Sequence, residues 1–131
     1  RINDKIVYVY KYQPSSSKIV TPQEIGSVSR DFENTPIGQC YAVFDRAVRN
    51  PNLPQFEQIK KMRYIYSNLE DNSHICTLAA PVWNFENRVV GVIVSSDLAG
   101  DGSERESVAK DFVSIAERIS RKLGYLGSFN E

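Results

Sequence analysis

Residues 75–96 read ICTLAAPVWNFENRVVGVIVSS and contain two apolar runs separated by a polar turn. Runs of this length, rich in β-branched residues and bounded by turn-forming residues, are typical of β-strands. We expect strands over 75–83 and 89–96, joined by a hairpin connection that makes them antiparallel. The second run is apolar nearly throughout, which predicts a central strand with both faces covered. Pro81 lacks a backbone N–H, so it should occupy an edge, a bulge or a strand end.

The C-terminal region has the clearest helical pattern. Ser103 and Glu106 have the spacing of a capping box, and Gly124 stands where a left-handed C-terminal cap belongs. Apolar residues between them recur at helical spacing, which predicts one amphipathic helix over 104–123 packed against the sheet. The residues expected on its buried face are Val108, Phe112, Ile115, Ile119 and Leu123.

Shorter elements precede the hairpin. Residues 5–12 are rich in β-branched and aromatic residues and predict a strand, with weaker strand candidates at 18–20 and 25–30. Thr35-Pro36 should start a helix, because Thr35 can cap free N–H groups and proline suits the first helical position. A short second helix and a strand at 63–66 should follow. The apolar residues at helical spacing in the two helices are Ile37, Cys40, Tyr41, Phe44, Phe56, Ile59 and Met62.

These elements together predict an α+β fold: a two-layer domain with a mostly antiparallel sheet and flanking helices, including a long C-terminal helix. A chain of 131 residues is long enough for one domain with a sizeable core but too short for two. We therefore treat 1–131 as a single domain. Because the chain begins almost directly with a strand, we expect a further element upstream of it in the parent protein.

Composition restricts the classes of function. Sixteen basic residues balance sixteen acidic ones, whereas a DNA-binding domain usually carries a basic excess. No apolar run is long enough to span a bilayer, and no signal peptide is visible. Cys40 and Cys76 are too few for a disulfide scaffold and are expected to be buried thiols in a reducing cytoplasm, with a bridge left open.

The sequence contains no recognisable catalytic or metal-binding motif. There is no Gly-x-Ser-x-Gly elbow, no Walker loop and no Gly-x-Gly-x-x-Gly fingerprint. His74 is the single histidine, so a metal site would need scattered ligands. Glu70 and Asp71 are adjacent, which favours solvated loop charges over an acid–base pair. We expect a protein that is not an enzyme and uses neither a metal nor a cofactor.

Small hydroxyl residues gather at the ends of the predicted strands. They are Ser67, Thr77, Ser95 and Ser96. Hydroxyls can donate to a carboxylate, and free N–H groups at the helix start, 36–38, favour an anion. This set would suit a small carboxylic acid. The alternative is that the same residues only form turns and caps.

Three motifs occur in order: CTLAAPVWN at 76–84, RVVGVIVSSD at 88–97 and AERISRKLGY at 116–125. They resemble, in turn, Cys-Ile-Ala-Ala-Pro-Val-Phe-Asp, Arg-Val-Val-Gly-Ala-Leu-Ser-Val-Ser-Gly and Ala-x-x-Ile-Ser-x-x-Leu-Gly-Tyr of the effector-binding half of the IclR family, the last in full. Softer matches in the same order at Val7-Tyr8-Val9, Ile25-Gly26 and 34–40 extend the resemblance over residues 5 to 125.

The resemblance implies a GAF/profilin-like sensor domain of a cytoplasmic transcriptional regulator. In that family an N-terminal helix-turn-helix domain binds DNA, and the sensor domain binds a small organic acid, usually in a homodimer or homotetramer. The helix-turn-helix is absent from this chain, so DNA binding is implied only for the parent protein. No membrane partner is implied.

The resemblance also implies a ligand pocket. Its residues would be Pro36, Ile37 and Gly38, through their backbone, with Ser67, Ile75, Thr77, Val94 and Ser96. Ser67 stands where the family often has aspartate, Thr77 where it has cysteine, and Val94 where it has serine. These departures make the pocket more apolar and less charged than usual. The segment between Cys40 and Arg63 is also shorter than in the family.

Two functions therefore stay open. A sensor would bind its ligand more tightly in one state of the parent protein than in the other. The alternative is a dimerisation module with a degraded, non-binding pocket, which the lost polar residues favour. As a hypothesis, dimer contacts use the apolar surface of an outer helix or the tyrosines Tyr8, Tyr10 and Tyr12.

Overall fold

A computed structural model describes residues 6–7, 28–29, 35–68, 75–98 and 105–127. In chain order, the elements are β1 (Ile6–Val7), β2 (Val28–Ser29), α1 (Pro36–Phe44), α2 (Phe56–Met62), β3 (Ile65–Asn68), β4 (Ile75–Trp83), β5 (Val89–Leu98) and α3 (Arg105–Lys122). β1 pairs with β2, and β3, β4 and β5 form an antiparallel three-stranded sheet in that order. The predicted α+β class is confirmed. The other residues of the early strand candidates, and Ser103 of the capping box, lie outside the described residues.

The two faces of the three-stranded sheet carry different helices. α1 packs against β3, β4 and β5, and α3 packs against β4. Side chains alternate between the faces along each strand, so Ile65 and Ala79 join the core beneath α1, whereas Ala80 and Val82 meet Ala116 of α3. The core therefore has two parts, one on each face of β4.

The predicted hairpin forms between β4 and β5. Among the described strands, β4 has a neighbour on each side and β5 has one. Val90 and Val94 of β5 are 46% and 41% exposed. Cover of both faces is therefore incomplete at these two residues, whereas the predicted central position also depends on strand candidates outside the described residues. The physical reason for this exposure is that β-branched residues suit a half-buried pleated surface, so an apolar run does not require burial of both faces.

α1 begins as the sequence predicts. The Gly38 N–H donates to the Thr35 side-chain oxygen at 3.1 Å, which caps the helix. The four residues predicted for its stripe are buried: Ile37, Cys40, Tyr41 and Phe44. In α2, Phe56 and Ile59 are buried and Met62 is half-buried. Cys40 and Cys76 are free thiols, so the possible bridge does not form.

An ion pair between the buried Asp45 and the partly exposed Arg88 fixes the end of α1 to the β4–β5 hairpin. Asp45 caps the C-terminus of α1 and is 1% exposed. The Arg88 Nε and Nη2 atoms donate to its two carboxylate oxygens at 2.8 and 3.2 Å. Burial raises the pKa of Asp45, but hydrogen bonds from Arg88 and the Ala47 N–H, with the charge of Arg88, outweigh it and hold that pKa below its ordinary value. Arg46 adds a hydrogen bond to the Glu86 carbonyl.

A β-bulge interrupts the hairpin near its turn. Val82 pairs with Gly91 and Trp83 pairs with Val89, which leaves Val90 as the extra residue. The Trp83 N–H donates instead to the Ser120 hydroxyl at 3.0 Å, and that hydroxyl donates to the Ala116 carbonyl at 2.8 Å. Ser120 is fully buried. The hydroxyl therefore connects α3 directly to the backbone of β4 at the bulge.

The end of α3 is a Schellman motif, as the position of Gly124 predicts. Gly124 has a φ of 86°, its N–H donates to the Arg121 carbonyl at 3.1 Å, and the Tyr125 N–H donates to the Ser120 carbonyl at 3.0 Å. The turn places the Tyr125 ring on Trp83, stacked at 5.3 Å between centroids. Phe44 meets Trp83 edge-on at 5.8 Å.

The buried face of α3 differs from the predicted one. Its buried residues are Ala109, Ala116 and Ser120. Of the predicted stripe, Phe112 and Ile119 are half-buried, whereas Val108, Ile115 and Leu123 are 49%, 48% and 45% exposed. At 3.6 residues per turn, the centre of the observed contact face lies roughly 80° around the helix axis from the centre of the predicted stripe. Small side chains let the helix backbone approach the sheet closely, and this contact outweighs the larger apolar area of the predicted stripe. Among the described residues, no helix is long and apolar enough to cross a membrane.

We predict that Ser120→Ala lowers the free energy of unfolding by about 1–3 kcal/mol, because it leaves the buried Trp83 N–H without its acceptor. Urea unfolding followed by tryptophan fluorescence measures the change. Ser114→Ala is the control, since Ser114 is exposed on the same helix, and it should change stability by less than about 0.5 kcal/mol. Equal stability of the two variants would show that the bulge does not need the hydroxyl.

We predict that Asp45→Asn destabilises the chain by roughly 2 kcal/mol at neutral pH, since it removes a charged acceptor from Arg88. A depressed folded-state pKa stabilises the fold above the unfolded pKa of about 3.9, and that contribution is lost as pH falls through the folded pKa. The stability gap between wild type and variant should therefore shrink below about pH 4. A gap that stays constant down to the acid transition contradicts this account. Urea titrations over that pH series supply the measurement.

Candidate functional site

Three of the predicted site residues form a row across the sheet. Ser67 of β3 lies opposite Thr77 of β4, and Thr77 lies opposite Ser96 of β5. Directly opposed residues of antiparallel strands project from the same face. The Thr77 and Ser96 hydroxyl oxygens are 3.1 Å apart and share a hydrogen bond. The structure therefore brings together side chains that are far apart in the sequence.

The hydroxyl row (Ser67, Thr77 and Ser96) lies on the face that α1 covers. Ala79, two residues beyond Thr77, is fully buried in the core beneath α1. Thr77 is 6% exposed, and Ser67 and Ser96 are half-buried. Val94 lies opposite Ala79 and is 41% exposed. The hydroxyl row therefore lies at the boundary between the buried part of this face, over β4, and its more exposed part, over β5.

The remaining predicted site residues have different positions. Ile75 is the first residue of β4 and pairs with Leu98. Ser95 is opposite Leu78 and projects from the other face, so it does not join the row. Cys76 also lies on that other face by the same alternation and is half-buried, not buried as expected.

The start of α1 offers less to an anion than the sequence suggests. Pro36 has no N–H, and the Gly38 N–H already donates to Thr35. Ile37 is buried in the core through its side chain. Of these three residues, only Ile37 has a backbone N–H that it can offer to a ligand while the Thr35 cap is closed. A ligand that used the Gly38 N–H would have to displace the Thr35 hydroxyl.

The described residues give no evidence of a metal site or of a reactive Cys40 thiol. Within 35–68, 75–98 and 105–127, no group of three His, Cys, Asp or Glu side chains could hold a metal. Burial raises the pKa of the Cys40 thiol far above neutrality, so it stays protonated and is a poor nucleophile. His74 and the Glu70-Asp71 pair lie outside the described residues.

A small cleft on the opposite face was not predicted from the sequence. It lies between β4 and α3 and shares no residue with the hydroxyl row. Its lining residues are Arg63, Ala80, Pro81, Trp83, Val113, Ala116 and Glu117. No motif marks it, because the space depends on how closely Ala116 lets α3 approach the sheet.

Solved structures share this fold at low sequence identity. An IclR-type transcriptional regulator from Silicibacter has a TM-score of 0.74 at 11% identity, with 98% of this chain and 59% of that chain covered. The Thermotoga maritima IclR has a TM-score of 0.72 at 23% identity, with 95% and 59% covered. The C-terminal domain of a transcriptional regulator from Vibrio cholerae has a TM-score of 0.63 at 16% identity, with 94% and 81% covered.

These likenesses establish the architecture. The chain spans 59% of the length of the first two proteins and most of the isolated C-terminal domain. No protein-family model and no curated protein matches the sequence. The fold that the sequence motifs predicted, that of the C-terminal domain of IclR-type regulators, is confirmed.

We predict that Thr77 and Ser96 are energetically coupled. In a double-mutant cycle, Thr77→Val and Ser96→Ala should lose about 0.5–1.5 kcal/mol less together than the sum of the single changes, because both remove the same hydrogen bond. Thr77→Val with Ser95→Ala is the control cycle, and its effects should add, since Ser95 lies on the other face. Additive behaviour in both cycles would mean that the 3.1 Å contact contributes nothing. Urea unfolding of the variants provides the free energies.

Proposed function

We propose that this chain is the effector-sensing domain of a cytoplasmic transcriptional regulator of the IclR type and binds a small organic acid. The observation that carries the proposal is the hydroxyl row beside the exposed Val94, on the sheet face that α1 covers. The shared fold with transcriptional regulators supports the regulatory class. DNA binding belongs to a helix-turn-helix domain of the parent protein, and the domain itself is not an enzyme.

The proposed pocket combines the hydroxyl row with the backbone of Pro36, Ile37 and Gly38 and with two further residues, Ile75 and Val94. A hydroxyl has one hydrogen to donate and two lone pairs. In the Thr77–Ser96 pair one hydroxyl donates to the other, so one hydrogen remains for a ligand oxygen. The hydrogen bond inside the pair polarises that second hydroxyl and strengthens its donation.

The charge of the proposed pocket sets the class of ligand. The row has no charged side chain, and the start of α1 supplies a partial positive charge from its backbone dipoles. One carboxylate can therefore be accommodated, while Val94 contacts an apolar part of the ligand. A doubly charged acid would leave its second carboxylate without a counter-charge from these residues. We infer a monocarboxylic acid with a short apolar or hydroxylated body.

The ion pair at the other end of α1 suggests how binding reaches the rest of the protein. Asp45 and Arg88 fix the C-terminus of α1 to the hairpin, so a ligand at the helix start moves α1 about a fixed end. Such a movement changes DNA binding only if the ligand binds one state of the protein more tightly than the other. The regulator acts as a homodimer or homotetramer.

We predict that one acid in a set of small monocarboxylic, keto and sugar acids raises the melting temperature of the 131-residue chain. A ligand at about 100 times its dissociation constant adds roughly 2.7 kcal/mol of stability. Thr77→Val and Ser96→Ala should each abolish the shift, and Ser95→Ala should keep it. Thermal unfolding followed by fluorescence gives the readout.

Three outcomes separate the possibilities. A shift that survives both Thr77→Val and Ser96→Ala places the ligand elsewhere. A shift lost equally in Ser95→Ala indicates a general effect of destabilising β5. The absence of any shift across the set favours the second candidate, a dimerisation module whose pocket no longer binds, which the occupied Gly38 N–H and the valine at 94 favour.

A further inference from the structure

Three exposed apolar side chains gather where the β4–β5 turn meets the end of α3. Phe85 of the turn is 71% exposed, and Leu123 and Leu126 are 45% and 90% exposed. Phe85 lies against Gly124, where a Cβ atom would be 3.0 Å from the Phe85 Cβ, and the two leucines flank that glycine in the sequence. We call Phe85, Leu123 and Leu126 the turn patch. Single exposed apolar residues are ordinary, but three that two separate segments bring to one place are typical of a contact surface.

The turn holds Phe85 in a fixed position. The Asn84 side-chain oxygen accepts hydrogen bonds from the Glu86 and Arg88 N–H groups at 2.9 and 3.1 Å. On the α3 side, Gly124 has no side chain, so the Phe85 side chain can lie directly against it. An exposed aromatic side chain that is already ordered loses little conformational entropy on binding, which makes it a suitable anchor for a partner.

Basic side chains border the turn patch. The Arg46 Nη2 atom donates to the Glu86 carbonyl at 3.1 Å, which holds this exposed guanidinium at the hairpin turn. The Arg121 Nη1 atom donates to the Tyr125 carbonyl at 3.0 Å, which holds a second guanidinium at the end of α3. Lys122 is exposed in the last turn of the same helix. Three cations thus stand beside the one carboxylate of Glu86, whereas the whole chain is neutral.

We propose that the turn patch binds an acidic segment of a partner protein, in which aspartate or glutamate residues flank a leucine or an aromatic residue. The apolar residue of that segment packs on Phe85 and Leu126, and its carboxylates face the basic border. A guanidinium has five N–H donors in a planar fork that matches a carboxylate, and the bond of Arg46 to a carbonyl uses one of them. This contact goes beyond effector sensing and does not depend on it.

The composition of the turn patch favours a protein over nucleic acid or a second copy of this chain. Affinity for nucleic acid comes mainly from cations that contact phosphates, whereas here the centre is apolar and the charges lie at the border, as in protein interfaces. A symmetric contact between two copies would bring two basic borders together, and like charges oppose that pairing. The apolar centre provides most of the attraction, and the charges select an acidic partner.

Selection of short random peptides displayed on phage against the 131-residue chain tests the proposal. Peptides enriched on the wild type should carry acidic residues around an apolar one, and Phe85→Ser should not retain them. The proposal is wrong if no peptide is enriched, if the enriched peptides lack acidic residues, or if they bind Phe85→Ser as tightly as the wild type.

Fluorescence polarisation with the best selected peptide then measures the apolar contribution. Phe85→Ser and Leu126→Ser should each raise the dissociation constant by about tenfold or more. Val108→Ser is the matched control, because Val108 is 49% exposed and lies roughly 22 Å along α3 from Leu123. It should bind the peptide as the wild type does, and equal losses in all three variants contradict a contact at the turn patch.

A charge reversal tests the chemistry of the partner. Arg46→Glu combined with Lys122→Glu should weaken the peptide by about tenfold at low salt. A peptide whose acidic residues are replaced by lysine should instead bind this double variant more tightly than the wild type. Lys110→Glu is the control, since Lys110 is exposed in the first half of α3, and it should change neither affinity. Unchanged binding in the double variant contradicts the proposal.

Two other occupants give different results, and either overturns the proposal. One is a short DNA duplex that binds the wild type more tightly than the peptide does and is lost in the charge-reversed variant. The other is a dimer of the wild type, seen in sedimentation velocity, that Phe85→Ser dissociates. Melting curves show that each variant is folded. Thr77 lies roughly 20 Å from the turn along β4, so an acid-induced thermal shift should persist in Phe85→Ser, which separates partner binding from effector binding.

Discussion

Trp83 is the residue on which the packing of both faces of the sheet depends. Its ring meets Phe44 at the end of α1 on one side and stacks on Tyr125 on the other. Its N–H donates to the buried Ser120 hydroxyl of α3. Trp83, at the end of β4, thus contacts α1 on one face of the sheet and α3 on the other. Aromatic pairs in these two geometries are favourable beyond the area they bury. The hydrogen bond from Trp83 to Ser120 fixes the position of α3 along β4.

The contacts of α1 with the hairpin give the two ends of the sheet different constraints. Asp45 and Arg88 join α1 to the residues just after the turn, so the end of α1 is held against the same end of the sheet as Trp83. The hydroxyl row lies toward the opposite end of β4. The end of the sheet near the turn is therefore the fixed one, and the end that carries the candidate site is free of these two constraints.

Local signals made much of the fold predictable. The hairpin, the Thr35 cap and the Gly124 cap each depend on a few neighbouring residues, and all three form. The buried face of α3 was not predictable in this way. Periodicity favoured its large apolar residues, whereas the packing distance is set by Ala109, Ala116 and Ser120. A pattern of apolar residues does not show which of two adjacent helix faces has side chains small enough to let the helix approach the sheet.

The candidate site was predictable as a set of residues but not as a geometry. Hydroxyls at strand ends indicated Ser67, Thr77, Ser95 and Ser96 alike. Which of them share a face depends on the bulge, because it shifts the alternation of β5 by one residue. Val89 packs in the core beneath α1, and if Val90 were paired in regular alternation instead of bulged, Ser95 would lie on that face. The bulge in this sense sets the parity of β5: because Val90 near the turn is bulged and not paired, Ser96 and not the adjacent Ser95, several residues away, is placed beside Thr77.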